Sequence, residues 1–260
     1  MTTVADIARF LDDFAPSSLA AEWDNVGLLV GDAQAHVRRV MTCLTITDAS
    51  VAEAVREGAN LIVTHHPLPF RPLRRLTTDT AEGRALWALA RASIAVYSPH
   101  TAFDSARRGI NERLSERLGL VDVTPLVESD EPGGTGRRGR LAPPLRLASL
   151  AERLKQALAI DGLHAIGAAE REVRQVGVAC GSAGELLSTA LAAGCDCFVT
   201  GELRFHDALA VESAGATALV VGHFASERFG VEELAGDLQA AFSDLSIWAS
   251  RDERDPLVWR

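Results

Sequence analysis

Histidines and carboxylates stand out in this sequence because they recur where apolar runs end. His65 and His66 are adjacent and follow the apolar run Leu61–Thr64. Two later segments place a carboxylate four positions after a histidine: His100 with Asp104, and His223 with Glu227. Imidazole nitrogens and carboxylate oxygens, without a thiolate, are ligands suited to zinc, manganese, iron or nickel. The pattern therefore indicates a metal site, and a carboxylate in such a set can bridge two ions.

The adjacent histidines raise a geometric problem. Neighbouring side chains on a regular strand point to opposite faces of a sheet, so a flat strand would not aim both at one target. Pro67 biases His66 towards extended geometry and stops the strand from pairing onward. We therefore predict that Leu61–Thr64 is a buried strand and that both imidazoles lie beyond its regular pleat, facing one cleft.

The remaining histidines and the cysteines carry less weight. His36 and His164 are isolated, and we interpret them as structural. His206, in GELRFHDA, has three interpretations: a metal ligand, a donor that supports a ligand, or a helix-start residue, of which we favour the last two. Cys195 and Cys197 alternate as on a strand without CxxC spacing, so we expect a buried, reduced pair.

Strand and helix patterns alternate along the chain. The β-rich runs of the first half lie at 38–47, 60–66 and 94–100, and those of the second half lie at 173–181, 195–202 and 216–223. Helical patterns separate them, which favours an α/β fold built in layers. Ligand sites in such folds gather where strands end. The histidines and carboxylates described above lie at those ends.

The second half of the sequence echoes the first. AEAVREGANLIVTHH (52–66) aligns with LSTALAAGCDCFVTGE (187–202), and RASIAVYSPHTAFD (91–104) aligns with AGATALVVGHFASE (214–227). Both members of the second pair end in H-x-x-x-acid. We predict an α/β fold of two similar layered units that arose by internal duplication, with a metal site in the cleft between them.

Composition changes between Val127 and Pro144, where glycines, prolines and mixed charges accumulate. This pattern predicts a loop that is either a domain boundary or an active-site flap. We therefore predict a first α/β domain at 1–127, with the HH and H-x-x-x-D ligands, and a second at 128–260, with the H-x-x-x-E ligands. In an alternative arrangement, about forty residues at the end of the chain pack on the first domain.

The bulk properties exclude several classes of protein. The formal net charge of −9 argues against a nucleic-acid surface, which normally carries a basic patch. No apolar run approaches the ~18 residues of a membrane span. The first residues, MTTVADIARFLDDF, lack the basic and apolar regions of a signal peptide. We therefore expect a cytoplasmic protein with neither a nucleic-acid nor a membrane partner.

Several of these segments resemble a known family. The motifs are EWDNVGLLVGD, VTHHPLPFRPL, YSPHTAFDSARRGINERLSERLGL, CGSAGELL, DCFVTGELRFHDA and GHFASE. They are similar, in order and over most of the chain, to the GTP cyclohydrolase type 2 homologues, the NGG-interacting-factor-like family. The resemblance implies a two-domain α/β fold, a dinuclear metal centre in the cleft and a ring-shaped homohexamer.

The resemblance also implies which residues bind the metals. The family's ligands fall on His65, His66, Asp104, His223 and Glu227. His100 is matched as well, close to the metals rather than among the usual five. Longer members carry an inserted domain in the middle of the chain, where this sequence keeps only the loop at 133–144. The chain is therefore similar to the short bacterial form.

The chemistry predicted from these ligands is hydrolysis. Two divalent ions (zinc, iron, manganese or nickel) would lower the pKa of a bound water towards ~7, and the hydroxide would attack an electrophilic carbon or phosphorus. His100 or His206 would transfer the proton. If the small-molecule substrate is GTP, attack falls on the purine ring carbon between its two imidazole nitrogens and releases formate. Candidate phosphate-binding residues are Arg137, Arg138 and Arg204.

Two alternatives to this hydrolase stay open from the sequence. The same dinuclear centre could act on a phosphomonoester or phosphodiester, because two-metal in-line displacement is common phosphoryl chemistry. The protein could also be a metal-binding scaffold or a metal-handling partner protein without turnover. Neither the metal nor the physiological substrate follows from the ligand types.

Overall fold

The computed structural model describes residues 1–258 of the chain. Its helices are α1 (Val4–Phe14), α2 (Asp48–Arg56), α3 (Ala81–Arg91), α4 (His100–Ser105), α5 (Ile110–Arg117), α6 (Leu147–Leu158), α7 (Leu187–Ala192), α8 (Phe205–Ser213) and α9 (His223–Ala241). Its strands are β1 (Gly27–Val30), β2 (Arg39–Cys43), β3 (Leu61–Thr64), β4 (Ala95–Ser98), β5 (Leu120–Thr124), β6 (Val127–Glu128), β7 (Gly134–Thr135), β8 (Arg137–Arg146), β9 (His164–Ile166), β10 (Glu172–Ala179), β11 (Cys197–Thr200), β12 (Thr217–Val220) and β13 (Ser246–Ala249). Short 3-10 helices lie at Ser17–Leu19 and Gly184–Leu186.

The chain divides into two compact units, of which the first consists of Met1–Phe103 and Gly230–Arg254. The sheet of this unit has the strand order β1-β4-β3-β2-β13. β4, β3, β2 and β13 are parallel to their neighbours, and β1 pairs antiparallel with β4. Every residue of β3 and β4 is buried, as expected of parallel strands covered on both faces. The prediction of a buried strand at Leu61–Thr64 is confirmed.

The register of the first sheet brings the carboxyl ends of β2, β3 and β4 to one edge. Cys43 pairs with Thr64, and Val63 pairs with Tyr97, so the three strands end at nearly the same level. Helices α2 and α3 pack against one face of the sheet through small and branched apolar side chains, in a cluster that includes Ala54, Ile62, Leu89 and Val96. The segments that follow the three strands therefore start from one rigid edge.

A buried glutamate fixes the C-terminal part of the first unit. Glu53, on α2, accepts hydrogen bonds from Trp248 Nε1 at 3.0 Å, from Ser250 Oγ at 2.6 Å and from the backbone N–H groups of Arg251 and Asp252 at 3.0 Å. Burial raises the pKa of Glu53, but these donors outweigh it and leave the pKa below its ordinary value. The charged carboxylate thus caps the turn after β13, which lies beside β2 in the same sheet.

The second unit consists of Asp104–Phe229 and the described residues after Arg254. Its larger sheet has the strand order β5-β8-β10-β11-β12-β9. β10, β11 and β12 form a parallel core, and β8 and β9 pair antiparallel with its two outer members. Strand β11 is buried along its whole length. The ends of three adjacent parallel strands again meet at one edge.

The segment 127–144, which was predicted to be a loop, is largely strand, and that prediction is wrong. β6 and β7 form a small ladder, and β8 runs from Arg137 to Arg146 between β5 and β10. Its prolines at 143 and 144 lie where the β8–β10 register shifts, between the paired positions, so their missing N–H groups cost no ladder bond. Because β5 and β8 share a sheet, the boundary expected at 127/128 falls inside the second unit.

Both units contain the same succession of strand, helix, strand, helix, strand and helix. In the first unit it runs from β2 to the start of α4, and in the second it runs from β10 to the start of α9. The parallel strands are adjacent and in the same order in both sheets, which agrees with the α/β fold of two similar layered units. Across residues 1–258, no helix combines the length and the apolar run that crossing a bilayer requires.

Candidate metal centre

The backbone explains how the adjacent histidines after β3 leave the regular strand. The N–H of His65 donates to the carbonyl of Cys43 at 3.0 Å, and the N–H of His66 donates to that of Leu44 at 2.8 Å. Successive N–H groups of a regular strand point to opposite neighbours, but these two both point to the chain that continues β2. The alternation of N–H directions that marks a regular strand is therefore lost at His65 and His66. The centroids of their two imidazole rings lie 5.1 Å apart.

Hydroxyl groups from the neighbouring strand ends hold this turn. Ser98 Oγ donates to the carbonyl of His65 at 2.7 Å, and Thr45 Oγ1 lies 2.7 Å from His66 Nδ1. The side chain of His65 is buried, with 1% of its surface exposed. Both rings are thus oriented by residues that the β2–β3–β4 register fixes in place.

His100 completes a cluster of three imidazoles in the first unit. Its ring centroid is 5.1 Å from that of His65 and 5.7 Å from that of His66. One ring nitrogen from each of the three lies within 4.8 Å of the others, so this group could hold a metal ion. We call His65, His66 and His100 the histidine cluster. His100 also has a positive φ of 26°, a strained conformation of the kind found at functional sites.

A buried carboxylate orients His100. Asp24 Oδ1 lies 2.7 Å from His100 Nδ1, and the other carboxylate oxygen accepts from the backbone N–H and the hydroxyl of Thr101. Burial raises the pKa of Asp24, but the hydrogen bonds from His100 and Thr101 outweigh it and bring the pKa down to about 2. A histidine whose second nitrogen faces a carboxylate is the usual arrangement for a metal-binding imidazole, because the carboxylate fixes its tautomer.

Helix α4 carries Asp104 one turn after His100. In the second unit, the thiol of Cys180 donates to Asp104 Oδ1 at 3.1 Å, and Asn111 Nδ2 donates to the carbonyl of Asp104 at 3.1 Å. Burial raises the pKa of Cys180 well above its ordinary value, so it is a neutral donor rather than a thiolate ligand. The carboxylate of Asp104 is therefore held by a fixed set of partners.

The start of α9 forms a second group of candidate ligands. His223 Nε2 lies 3.0 Å from Glu227 Oε2, one helical turn later, and His223 Nδ1 lies 3.2 Å from Glu202 Oε1. The hydrogen bond to Glu227 raises the pKa of His223 to about 9 against the opposing effect of burial, and both glutamates add to the rise by their charge. The surroundings that stabilise a positive charge on the imidazole would also stabilise a metal cation bound between the imidazole and the carboxylate.

A glycine makes room for the carboxylate of Glu227. A Cβ added to Gly181 would come within 2.3 Å of Glu227 Oε1, and Gly181 has a φ of +63°. Ser226 Oγ accepts from the N–H of Gly181 at 2.9 Å and donates to the carbonyl of His223 at 2.7 Å. The end of β10 and the first turn of α9 are thereby packed together around this carboxylate.

Replacing Gly181 with alanine is expected to displace Glu227 and to weaken divalent-metal binding about tenfold, the loss typical of disturbing the surroundings of a ligand. The matched control is Gly215→Ala, because Gly215 has the same φ of +63° but nothing within 4 Å of an added Cβ. Both variants should lose ~1–2 kcal/mol of stability from the left-handed backbone. Calorimetric titration with Zn²⁺ or Mn²⁺ measures the difference, and equal affinities in the two variants would remove Glu227 from the ligand set.

Arg137, one of the residues predicted to bind phosphate, is buried and fully hydrogen-bonded. All five N–H groups of the Arg137 guanidinium are engaged: Nε with Glu112 at 2.5 Å, Nη1 with the carbonyls of Gly134 and Gly136, and Nη2 with those of Ser105 and Ala106. Arg137 is also 1% exposed, so a phosphate would have to break existing bonds to reach it. We therefore assign Arg137 to the structure of β8, which corrects its assignment as a substrate-binding residue.

Arg138, Arg204 and His206 have different surroundings. Arg138 donates to Thr124 Oγ1 at 3.2 Å and to the carbonyl of Ala193 at 3.3 Å. Arg204 is the exposed residue before α8, and its N–H donates to Asp207. His206 is exposed in the first turn of that helix, which fits its interpretation as a helix-start residue. The four cysteines are buried and none forms a disulfide bond, as expected for the pair at 195 and 197.

Two supporting residues escaped the sequence-based reasoning. Asp24 lies in the motif EWDNVGLLVGD, but its pairing with a histidine 76 positions later leaves no local signal. Glu202 ends the β-rich run at 195–202, and in the structure it faces His223, 21 positions later. In both cases the partner is set by which strand ends are neighbours. Only the sheet order provides that information.

The donor set fits a divalent transition metal. It consists of imidazoles and carboxylates, of which His65 and Glu227 are buried, and burial raises the pKa of the nearby Cys180 thiol. Imidazole with carboxylate suits zinc, iron, manganese and nickel. The His and Glu side chains at these strand ends could therefore hold metal, which is the chemistry expected from the sequence.

Comparison with known proteins agrees with the fold and with these motifs. The family model Duf34/NIF3 (NGG1p interacting factor 3) matches residues 2–256. A Clostridium acetobutylicum protein named GTP cyclohydrolase 1 type 2 homolog is 32% identical over 247 residues, which cover 94% of this chain and 92% of that protein. A Lactococcus lactis protein of the same name is 33% identical, with 97% and 98% covered. The crystal structure of a Staphylococcus aureus protein superposes with a TM-score of 0.92 at 25% identity, covering 100% of this chain and 99% of that one. On this evidence the chain belongs to the Duf34/NIF3 (NGG1p interacting factor 3) family.

Proposed function

We propose that the protein binds two divalent metal ions through His65, His66, Asp104, His223 and Glu227, and that it is a metal-dependent hydrolase. The observation that carries the proposal is the convergence of His65 and His66, two of the proposed ligands, with His100 at the ends of adjacent parallel strands, where one ring nitrogen of each lies within 4.8 Å of the others. The His223–Glu227 pair supports it independently, since the two side chains lie 3.0 Å apart on one turn of α9. The residue types agree with the ligands implied by the family resemblance.

The residues around the ligands suggest how a proton would be handled. Bound divalent ions would supply Lewis acidity and a water of lowered pKa. His100 would accept the proton of that water at Nε2, because its Nδ1 faces the carboxylate of Asp24 at 2.7 Å. Asp24 is fully ionised at neutral pH, given a pKa of about 2, so it would stabilise the imidazolium once formed. This division of roles between carboxylate and imidazole is general in acid–base catalysis.

The substrate class favoured by the relatives' names is GTP. In the proposed reaction, water attacks the purine carbon between the two imidazole nitrogens, the ring opens, and a second hydrolytic step releases that carbon as formate. His206 is not used, since it lies exposed in the first turn of α8. The phosphates would be bound by arginines other than Arg137, whose five donors are already taken.

A product assay separates the proposed reaction from its alternatives. Metal-loaded protein is incubated with GTP and with a panel of phosphomonoesters and phosphodiesters, and formate and inorganic phosphate are both quantified. Formate without phosphate, lost in His65→Ala, is the expected outcome. Phosphate without formate would replace ring opening by phosphoester hydrolysis. Tight metal binding with no activity that depends on His65 would instead identify a metal-binding scaffold or a metal-handling protein.

The family resemblance also leads us to propose a ring-shaped homohexamer. Light scattering on the purified protein tests it directly, because a chain of 27.7 kDa gives well separated masses for a monomer, a dimer and a hexamer. A monomeric mass at micromolar concentration would contradict the assembly. The metal proposal does not depend on this result.

A further inference from the structure

Two exposed aromatic side chains stand beside the histidine cluster. Trp23 is 65% exposed and Phe70 is 40% exposed, in a chain where aromatic residues make up only 5% of the sequence. Their ring centroids are 6.0 Å apart, and they lie 6.1 Å and 6.3 Å from the ring of His100. All three pairs are close to perpendicular, at 72° to 86°. We call Trp23 and Phe70 the aromatic platform.

The platform is fixed to the histidine cluster by the residues that follow Trp23. Asp24 binds His100 and Thr101, and Asn25 Nδ2 donates to the carbonyl of Pro69 at 2.6 Å. Pro69 immediately precedes Phe70, so this bond ties the two aromatic segments together. The exposure of both rings therefore does not come from a loose surface loop. They are held at a defined distance from an imidazole that the proposed mechanism uses.

The loop that follows Phe70 is basic. Arg71, Arg74 and Arg75 are exposed, and within residues 1–258 none of the three takes part in an ion pair. The protein has a net charge of −9, so three arginines within the five residues 71–75 form a local positive patch. Guanidinium groups bind phosphate through paired hydrogen bonds. The patch adjoins the platform along the chain.

From these observations we infer that Trp23 stacks with the base of a nucleotide, that Phe70, which is close to perpendicular to Trp23, contacts the edge of that base, and that the arginines at 71, 74 and 75 bind its phosphate. An exposed aromatic face binds any nucleobase by stacking, and adjacent positive charge selects for the phosphorylated form. The base would then lie with one edge towards His100. The inference rests on the proposed function, to which it adds the residues that recognise the nucleotide.

The test uses guanosine 5′-monophosphate (GMP) as the probe and isothermal calorimetry as the readout, on full-length protein. Trp23→Leu is expected to weaken GMP binding about tenfold, the loss typical of removing one stacking ring. Phe70→Leu should weaken it less, because Phe70 meets the base only at its edge. The matched control is Trp87→Leu, because Trp87 is a tryptophan on α3 that is 47% exposed. It should bind GMP as the unaltered protein does. Ribose 5-phosphate, which has no base, should bind equally to Trp23→Leu and to the control.

A second arm of the experiment addresses the arginines. GMP should bind more tightly than guanosine to the unaltered protein, and the Arg74→Ala/Arg75→Ala double variant should lose that advantage. Equal GMP affinity in Trp23→Leu, Phe70→Leu and Trp87→Leu would overturn the inference, as would the absence of GMP binding to the unaltered protein.

Metal content, measured on the same samples, distinguishes failure of the inference from failure of the proposed function. If the protein binds metal but does not bind GMP, the proposed aromatic platform is rejected and the metal centre is retained. If the protein binds no metal but its GMP affinity still falls in Trp23→Leu, the proposed metal centre is rejected and the aromatic platform is retained.

Discussion

Replacing His65 with alanine is expected to weaken divalent-metal binding by roughly 100-fold, or ~2.7 kcal/mol. His65 is the buried member of the histidine cluster, and its ring lies about equally far from those of His66 and His100, at 5.1 Å in each case. Removing it takes away one ligand from the centre of the group. The loss should exceed that caused by disturbing a residue that only supports a ligand, which is about tenfold in the case of Gly181→Ala.

The affinity is measured by competition with a chromogenic chelator, using Zn²⁺ and Mn²⁺ separately. His36→Ala is the control, since His36 is exposed and lies outside the cluster. Circular dichroism establishes whether the His65 variant keeps its fold, and His65→Gln provides a second variant that retains a polar side chain of similar size. A folded His65→Ala protein with the affinity of the control would remove this residue from the metal centre.

Replacing Arg137 with methionine is expected to destabilise the protein by ~3–5 kcal/mol, the range for breaking a buried ion pair by removing one partner. Methionine keeps most of the volume but none of the five donors. Four backbone carbonyls and the carboxylate of Glu112 would be left without the guanidinium that now satisfies them. Unsatisfied buried acceptors cost far more than the lost bonds themselves contribute.

Urea unfolding followed by circular dichroism measures this loss. Arg138→Met is the matched control, because Arg138 is the next residue on β8, is partly exposed and makes two longer hydrogen bonds. Its substitution should cost less than ~1 kcal/mol. If Arg137→Met were as stable as the control but bound phosphate more weakly, the assignment of Arg137 to substrate binding would be restored.

Much of the candidate site could be predicted from the sequence because its signals are local. The strand at Leu61–Thr64 is a continuous apolar run, and the spacing of His223 and Glu227 is that of one helical turn. The α/β fold follows from the alternation of such runs with helical patterns. Each of these features depends on only a few consecutive residues.

The features that escaped prediction depend on pairing between distant segments. The glycines and prolines of 127–144 are typical of a loop, yet β8 forms there because β5 and β10 pair with it on both sides. Tertiary pairing thus overrode the local composition. Likewise, Arg137 was chosen as a phosphate ligand from its position in a basic run, whereas its carbonyl partners at 105 and 106 come from the end of α4. Composition alone does not distinguish a buried arginine from an exposed one.

The most direct test of the central claim is the metal content of the purified protein under metal-replete conditions. Inductively coupled plasma mass spectrometry, combined with an accurate protein concentration, gives the number of ions per chain. The account predicts about two ions per chain in the unaltered protein and a clear reduction in His223→Ala, which removes one member of the pair on α9. Fewer than one ion per unaltered chain would contradict the dinuclear centre.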